Sequence, residues 1–312
     1  MTSQMNFKAT KRSLISEMVA FLFMSRHRSR QWLFILLLIA PSAKAQWEVP
    51  NLVDEFIIQS PSRVLTMNLG YGFTAPIHEN IVANFSRGSA LHAMIGIKRF
   101  LESDYGSAQL DFAHIFLIAS FGRAAQGRLT DTLAPRLTPI GFSNFRLGFG
   151  ARDGIGYRFQ NYAVVTPYIS SGQAWTSNEW VSDTLFTGDA ARLDRFSNGL
   201  RYTTFTEMGV MIDVGTKFAM DIGFESMLIQ PRYIFLQSFS NLMLQQLAHI
   251  LLRKVIDTVF QNSWIPIAGF ALKGAFNFWL YNEKSMQGNF PFQSEAGLQL
   301  LTFKVGASFS ID

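Results

Sequence analysis

Six stretches of this chain alternate between apolar and polar residues, and a period of two is the signature of sheet rather than helix. In the last of them Leu301, Phe303, Val305, Ala307, Phe309 and Ile311 oppose Thr302, Lys304, Gly306, Ser308, Ser310 and Asp312. Leu65, Met67, Leu69, Tyr71 and Phe73 oppose Thr66, Asn68, Gly70 and Gly72. Phe145, Leu147 and Phe149, then Met208, Val210, Ile212 and Val214, then Phe218, Met220, Ile222 and Phe224 repeat the pattern. The sixth run sets Phe270, Leu272, Phe276, Phe278 and Leu280 against Ala271, Lys273, Ala275 and Asn277. One face is bulky and greasy; the other is glycine, hydroxyl, amide and charge. Several runs reach about 10 to 12 residues, near the roughly 9 to 11 that a tilted strand needs to cross a bilayer. Soluble strands average about 5 to 6. The pattern therefore predicts an all-β, transmembrane antiparallel β-barrel with apolar side chains to lipid and a polar interior. A closed barrel also satisfies every backbone donor and acceptor in lipid. A soluble sandwich, with its apolar face turned inward, is the alternative.

Composition agrees with a chain that faces something other than water. Charged residues make up 16%, against about 25% in a soluble domain, and there are 30 phenylalanines. Cysteine is absent, so stability must come from burial and backbone pairing.

Residues 24–45 have the three parts of an export signal. Arg26, Arg28 and Arg30 precede an apolar run from Trp32 to Ala40, and Ala43-Lys44-Ala45 supplies a small-residue cleavage pattern near Ala45. The expected organisation is a leader over 1–45 and a single barrel domain over 46–312. The leader holds seven of the 27 basic residues and one of the 22 acidic ones, so the remainder carries a formal charge of −1. The net charge of +5 belongs to the leader and is no argument for nucleic-acid binding.

Ten strands are readable: 64–73, 79–85, 89–100, 108–121, 138–150, 155–170, 200–214, 217–228, 266–281 and 294–312. Asp153-Gly154 and Gly215-Thr216-Lys217 read as tight hairpin turns. Segments 122–137 and 171–199 read as outer loops. Adding 53–59 and 233–237 gives about 12 strands (range 8–12) and brings both tight turns to the periplasmic side. The alternation slips between Leu300 and Leu301, which predicts a β-bulge. Residues 239–261 switch to helical periodicity: Leu244, Leu247, Leu251, Val255 and Val259 oppose Asn241, Gln245, His249, Arg253 and Asp257. Such an amphipathic helix can pack on the rest of the protein, lie at the membrane interface or plug the lumen.

Ten charged residues are expected to face the lumen: Lys98, Arg146, Arg158, Arg201, Glu207, Asp213, Asp221, Glu225, Lys273 and Lys304. They can neutralise one another in a filled barrel or line a polar pore. His78, His92, His114 and His249 show no metal-ligand spacing, and neither a P-loop nor a G-x-S-x-G elbow occurs, so no cofactor or metal is expected. Ser197-Asn198-Gly199 resembles part of outer-membrane phospholipase A. That family has a histidine two residues before its serine; here the position is Arg195, which cannot accept a proton. The stretch reads instead as a turn.

The chain as a class resembles bacterial outer-membrane β-barrel proteins, although it ends on Ile311-Asp312 rather than on an aromatic residue. The resemblance implies a Gram-negative envelope location. It also implies contact with membrane lipid, lipopolysaccharide, the outer-membrane assembly machinery and envelope protein partners. The expected role is non-enzymatic: porin-like channel, transport or envelope assembly. The alternatives are a lipid-acting enzyme with His92, His114 or His249 as base, and a soluble exported carrier of lipid or small molecules.

Overall fold

The computed structural model describes residues 63–81, 84–102, 109–125, 140–159, 163–181, 187–197, 199–215, 217–233, 265–287 and 295–311. Eight antiparallel strands, each paired with its neighbour in sequence, close into a barrel when β8 pairs with β1. They are β1 Arg63–Ile77, β2 Gly88–Glu102, β3 Gln109–Ala124, β4 Gly141–Phe159, β5 Ala163–Val181, β6 Arg201–Val214, β7 Phe218–Ile229 and β8 Leu298–Ile311. Two helices are described: α1 Thr187–Asp194 between β5 and β6, and α2 Ile265–Gln287 between β7 and β8.

Eight strands are described, not about 12: of the ten readable runs, 79–85 and 266–281 are not strands, and the turn read at 151–154 is misplaced without changing the count. Residues 151–154 are not a hairpin. Asp153 points out and Arg152 points in, so β4 keeps its alternation straight through the Asp-Gly pair. Residues 266–281 are not a strand but most of α2. Alanine, leucine, lysine and glutamate are good helix formers, and Pro266 falls in the first turn, where its missing N–H breaks no bond. Residues 79–81 and 84–85 form a turn and an isolated bridge from Phe85 to Ile140, not a strand. The expected outer loop at 171–199 is instead the second half of β5 followed by α1. The hairpin at 215–217 is present, with Gly215 at φ 67° joining β6 to β7. The segments 53–59, 234–237 and 239–261, and the export signal, lie outside the described residues.

There is no bulge at Leu300. Register runs unbroken through Leu300 and Leu301 on both sides of β8. What changes there is the chemistry of the interior. Leu298 and Leu300 point inward like Thr302 and Lys304, because this end of the barrel is filled with apolar side chains.

The inside-out pattern holds around most of the wall. Leu69, Phe73, Leu91, Leu117, Phe121, Phe145, Leu147 and Phe303 stand exposed on the outside, while Asn68, His92, Lys98, Arg146, Arg152, Glu207 and Lys304 are buried inside. One line of paired residues traces the geometry. It starts at Phe218 on β7, passes Phe309, Met67, Ile95, Leu117, Phe149, Gln173 and Thr204, and returns to β7 at Leu228. The return lies ten residues further along β7, and that stagger fixes the strand tilt of the closed barrel.

The strand order sorts the connections. Arg63, Ile311 and the β2–β3, β4–β5 and β6–β7 connections share one rim, where the connections are short. The β1–β2, β3–β4, β5–β6 and β7–β8 connections share the other rim and are long, two of them carrying helices.

Candidate functional site

Inward glycines make room for a layer of charge at mid-barrel. A Cβ on Gly223 would lie 2.6 Å from Glu207 Oε1, one on Gly306 2.6 Å from Asp221 Oδ1, and one on Gly209 2.5 Å from the Tyr168 hydroxyl. Into this space β4 sends Arg146 and Arg152, β6 sends Glu207, β7 sends Asp221 and Glu225, and β8 sends Lys304.

The pairing is dense. Arg146 donates from Nη1 to Glu225 Oε1 at 2.8 Å and from Nη2 to Oε2 at 3.2 Å, and from Nε to Ser120 Oγ at 3.0 Å. Arg152 donates to Asp221 at 3.1 Å and to both Glu207 oxygens at 3.2 and 3.3 Å. Its guanidinium also lies 4.4 Å from the centre of the Tyr168 ring. Lys304 bridges Glu207 and Glu225 at 2.9 and 3.0 Å. The Tyr168 hydroxyl donates to Glu207 at 2.7 Å, and Asn68 donates to Asp221 at 2.8 Å. Lys98 and Asp213 form a separate pair nearer the short-turn rim. Four cations thus face four carboxylates. Fork-to-fork guanidinium–carboxylate geometry is the strongest arrangement available to such groups.

Apolar layers close this network at both ends. Toward the long-connection rim stand Phe116, Ile118, Phe196, Phe205, Met227, Ile229, Leu298 and Leu300. Beyond them Ile81, Ile140 and Leu193 of α1 pack with Phe85 and Trp180. Toward the short-turn rim stand Phe112, Tyr168, Met211 and Ala219, with Phe100 against them. Arg146 and Glu225 are each only 1% exposed.

Of the ten residues expected in the lumen, Lys98, Arg146, Glu207, Asp213, Asp221, Glu225 and Lys304 are buried inside it. Lys273 is not in the lumen. It sits on α2 outside the barrel and pairs with Asp153 at 3.1 Å, because the run that carries it is helical. Arg201 stands at the long-connection rim and donates to the carbonyls of Ser197 and Pro231. Arg158 is exposed at the short-turn rim. Arg152 belongs to the network but was hidden in the sequence by the apparent Asp-Gly turn beside it. Tyr168 and Asn68 carry no charge and left no signal beyond their inward parity.

The three described histidines, His78, His92 and His114, do not come together. His92 lies 3.5 Å from Arg146 and His114 lies 3.1 Å from the Thr66 hydroxyl, both sealed inside. His249 lies outside the described residues. His78, in the β1–β2 connection, is half-buried, and burial holds its imidazole below the usual value of 6.5. The Ser197 hydroxyl donates to Asp194, as a turn residue would.

Two features lie on the outside. Helix α2 packs against the outer faces of β4 to β7, with Gly274 against Met208. At the long-connection rim an open cleft of about 530 Å3 is lined by Phe73, Ala75, Arg87, Ser89, Arg123 and Ala125. Arg87 and Arg123 are exposed, and neither meets a carboxylate among the described residues.

No protein-family model matches this chain, and no curated protein matches it. Among solved structures it is similar to the Neisserial surface protein A, with 8% identity and a TM-score of 0.39 over 79% of this chain and 97% of that one. Ail, the attachment invasion locus protein of Yersinia pestis, shows 11% identity and a TM-score of 0.28 over 80% and 98%. The outer membrane enzyme PagL shows 8% and 0.30 over 78% and 99%. At these values the likenesses carry nothing about activity or ligand.

Proposed function

We propose that this protein is an integral outer-membrane barrel with a closed interior, serving a non-enzymatic role in the envelope through its long-connection end. The observation that carries the reading is the neutralised charge layer sealed between two apolar layers, inside a wall whose exterior is apolar. A conducting pore needs a continuous wet path, and four ion pairs capped by phenylalanine, methionine and leucine do not supply one. A soluble carrier would have to hold the exposed belt in water, far beyond the patch a soluble monomer tolerates. A lipid-acting enzyme would need a base that meets lipid, and His92 and His114 face the sealed interior. Bacterial barrels usually put short turns in the periplasm, which places the rim with α1 and the longer connections outside the cell.

Detergent-purified protein tests this directly. The folded form should migrate differently from the boiled form on a gel, and planar bilayers should show no stepwise conductance. Regular single-channel steps would overturn the closed reading. Monodisperse protein in plain buffer would overturn the membrane reading.

The rim cleft supports contact with the phosphates of anionic lipid such as lipopolysaccharide. Guanidinium groups bind phosphate well, and Arg87 and Arg123 stand where the apolar belt meets the outer headgroup level. The double variant Arg87→Gln/Arg123→Gln should lose preferential retention of phosphorylated lipid A in nanodiscs of otherwise neutral lipid. Retention equal to that of the parent protein would remove the cleft from consideration.

A further inference from the structure

The paired line that circles the barrel changes character over one sector. From Phe218 through Phe309, Met67, Ile95 and Leu117 to Phe149 every outward residue is apolar and exposed. On β5 and β6 it becomes Gln173 and Thr204. The next outward line toward the short-turn rim reads Ser171, Thr206 and Ser226. These residues have the parity of the lipid-facing face, yet Ser226 is only 2% exposed, and Leu228 beside them is fully covered. In contact with hydrocarbon such a polar strip would be out of place.

Helix α2 lies over this strip and is inverted in the same sense. Lys273 meets Asp153 and Gly274 meets Met208, and Asp153, Ile169 and Met208 are successive members of one paired line. Two turns on, Tyr281 lies beside Thr204 and Tyr202. The helix therefore runs along the wall toward the long-connection rim. Its buried positions are Gly269, Gly274, Asn277, Leu280, Tyr281 and Lys284, mostly small or polar. Both amide atoms of Asn277 lack a partner among the described residues, and the residue is 1% exposed. Its exposed positions are Ile267, Ala271, Ala275, Phe278, Asn282 and Met286, mostly apolar. A surface helix of a water-soluble protein has the opposite arrangement.

We propose that α2 lies within the hydrocarbon beside the barrel, packed on its outer wall. Its apolar stripe touches acyl chains, and its small and polar face covers the polar strip on β5 and β6. This rests on the membrane reading above. The occupant of the stripe follows from continuity: exposed Phe149 and Trp175 flank the covered sector on one side, and exposed Ile222 and Phe224 on the other. The same lipid that wets those residues reaches the helix between them. Its 23 residues span about 34 Å at 1.5 Å each, comparable with a core of about 30 Å. No described helix is long and apolar enough to cross a membrane by itself. A helix clamped to a wall presents only part of its surface to lipid, so it needs only a stripe. Glycine at the contact, as at Gly274, is what close packing of elements in lipid favours.

The chain has no cysteine, so single labels can be placed cleanly. Spin labels go on Ala271→Cys, Ala275→Cys, Phe278→Cys and Met286→Cys, with Leu117→Cys as the bare-wall reference and Glu79→Cys as the aqueous one. Each variant is first shown to be folded by heat-dependent gel mobility. In bilayer nanodiscs the α2 labels should match Leu117 within about twofold in their ratio of oxygen to nickel-chelate collision rates. Glu79 should lie tenfold or more toward the chelate. If the α2 labels track Glu79 while Leu117 stays lipid-like, the proposal fails and the barrel reading stands. If they are shielded from both reagents, protein covers the stripe and the proposal fails. If Leu117 itself tracks Glu79, the membrane reading fails.

Discussion

The barrel keeps two polar regions away from solvent, and they are closed in different ways. The lumen holds formal charge, and strands from around the ring supply its ion-pair partners. The strip beside α2 holds hydroxyl and amide groups from the wall, and it is covered by that helix together with Gln299 of β8, which donates to Ser226. Charge is concentrated where the scaffold is stiffest, because a buried ion without its counter-ion is far more costly than a buried hydroxyl. The helix carries an amide, Asn277, with no partner among the described residues; the lumen pairs its carboxylates with guanidinium and ammonium groups.

That contrast can be broken by substitution. The largest effect belongs to the lumen. Lys98→Met leaves Asp213 buried without a cation and should cost about 3–5 kcal/mol in denaturant unfolding from detergent micelles. Lys98→Met combined with Asp213→Leu should recover most of the loss, since an apolar pair of similar volume often replaces a buried ion pair at little cost. If the double variant is as weak as the single one, the penalty is not that of an unpaired charge.

Glycines sharpen the comparison. Gly223→Ala forces a methyl against Glu207 Oε1, which Arg152, Lys304 and Tyr168 hold in place, and should cost about 1–3 kcal/mol. Gly274→Ala meets the flexible end of the Met208 side chain and should cost less than about 1 kcal/mol by the same assay. Equal losses would mean that the helix contact is as rigid as the lumen.

The smallest effect lies outside both regions. Burial depresses the His78 imidazole, so the unfolded chain takes up a proton that the folded protein resists. Stability should therefore fall slightly as pH drops through about 6.5, and His78→Gln should flatten that slope. A melting curve that shifts equally in both proteins would locate the pH dependence elsewhere.

Legibility in the sequence followed what covers each strand. β1, β6, β7 and β8 were visible because lipid and lumen impose opposite chemistries on alternate residues. Seven inward charges could be placed from parity alone. The run at 265–287 misled because α2 sees two environments as well. Phe270, Phe276, Phe278 and Leu280 fit a period of two over a short window, and only the full length with its helix-forming residues separates the choices. Arg152 was lost because Asp153-Gly154 carries a strong local turn preference that strand pairing overrides. Leu300 breaks the alternation of polarity but not of parity, because the interior is apolar near its ends.

The position of α2 in the chain also bears on how the ring can close. The main wall contacts of the helix lie on β4 to β7, ahead of it in the sequence, while the final join of β8 to β1 uses residues that come after it. Pairing Leu65 with Ile311 brings together the two most distant ends of the described chain, the contact with the greatest loop-closure entropy. Nothing in the connectivity stops the helix from settling on an open, curled sheet before that join is made. An assembly intermediate lacking only β8 would then already have the part of its hydrophilic outer strip on β5 and β6 covered.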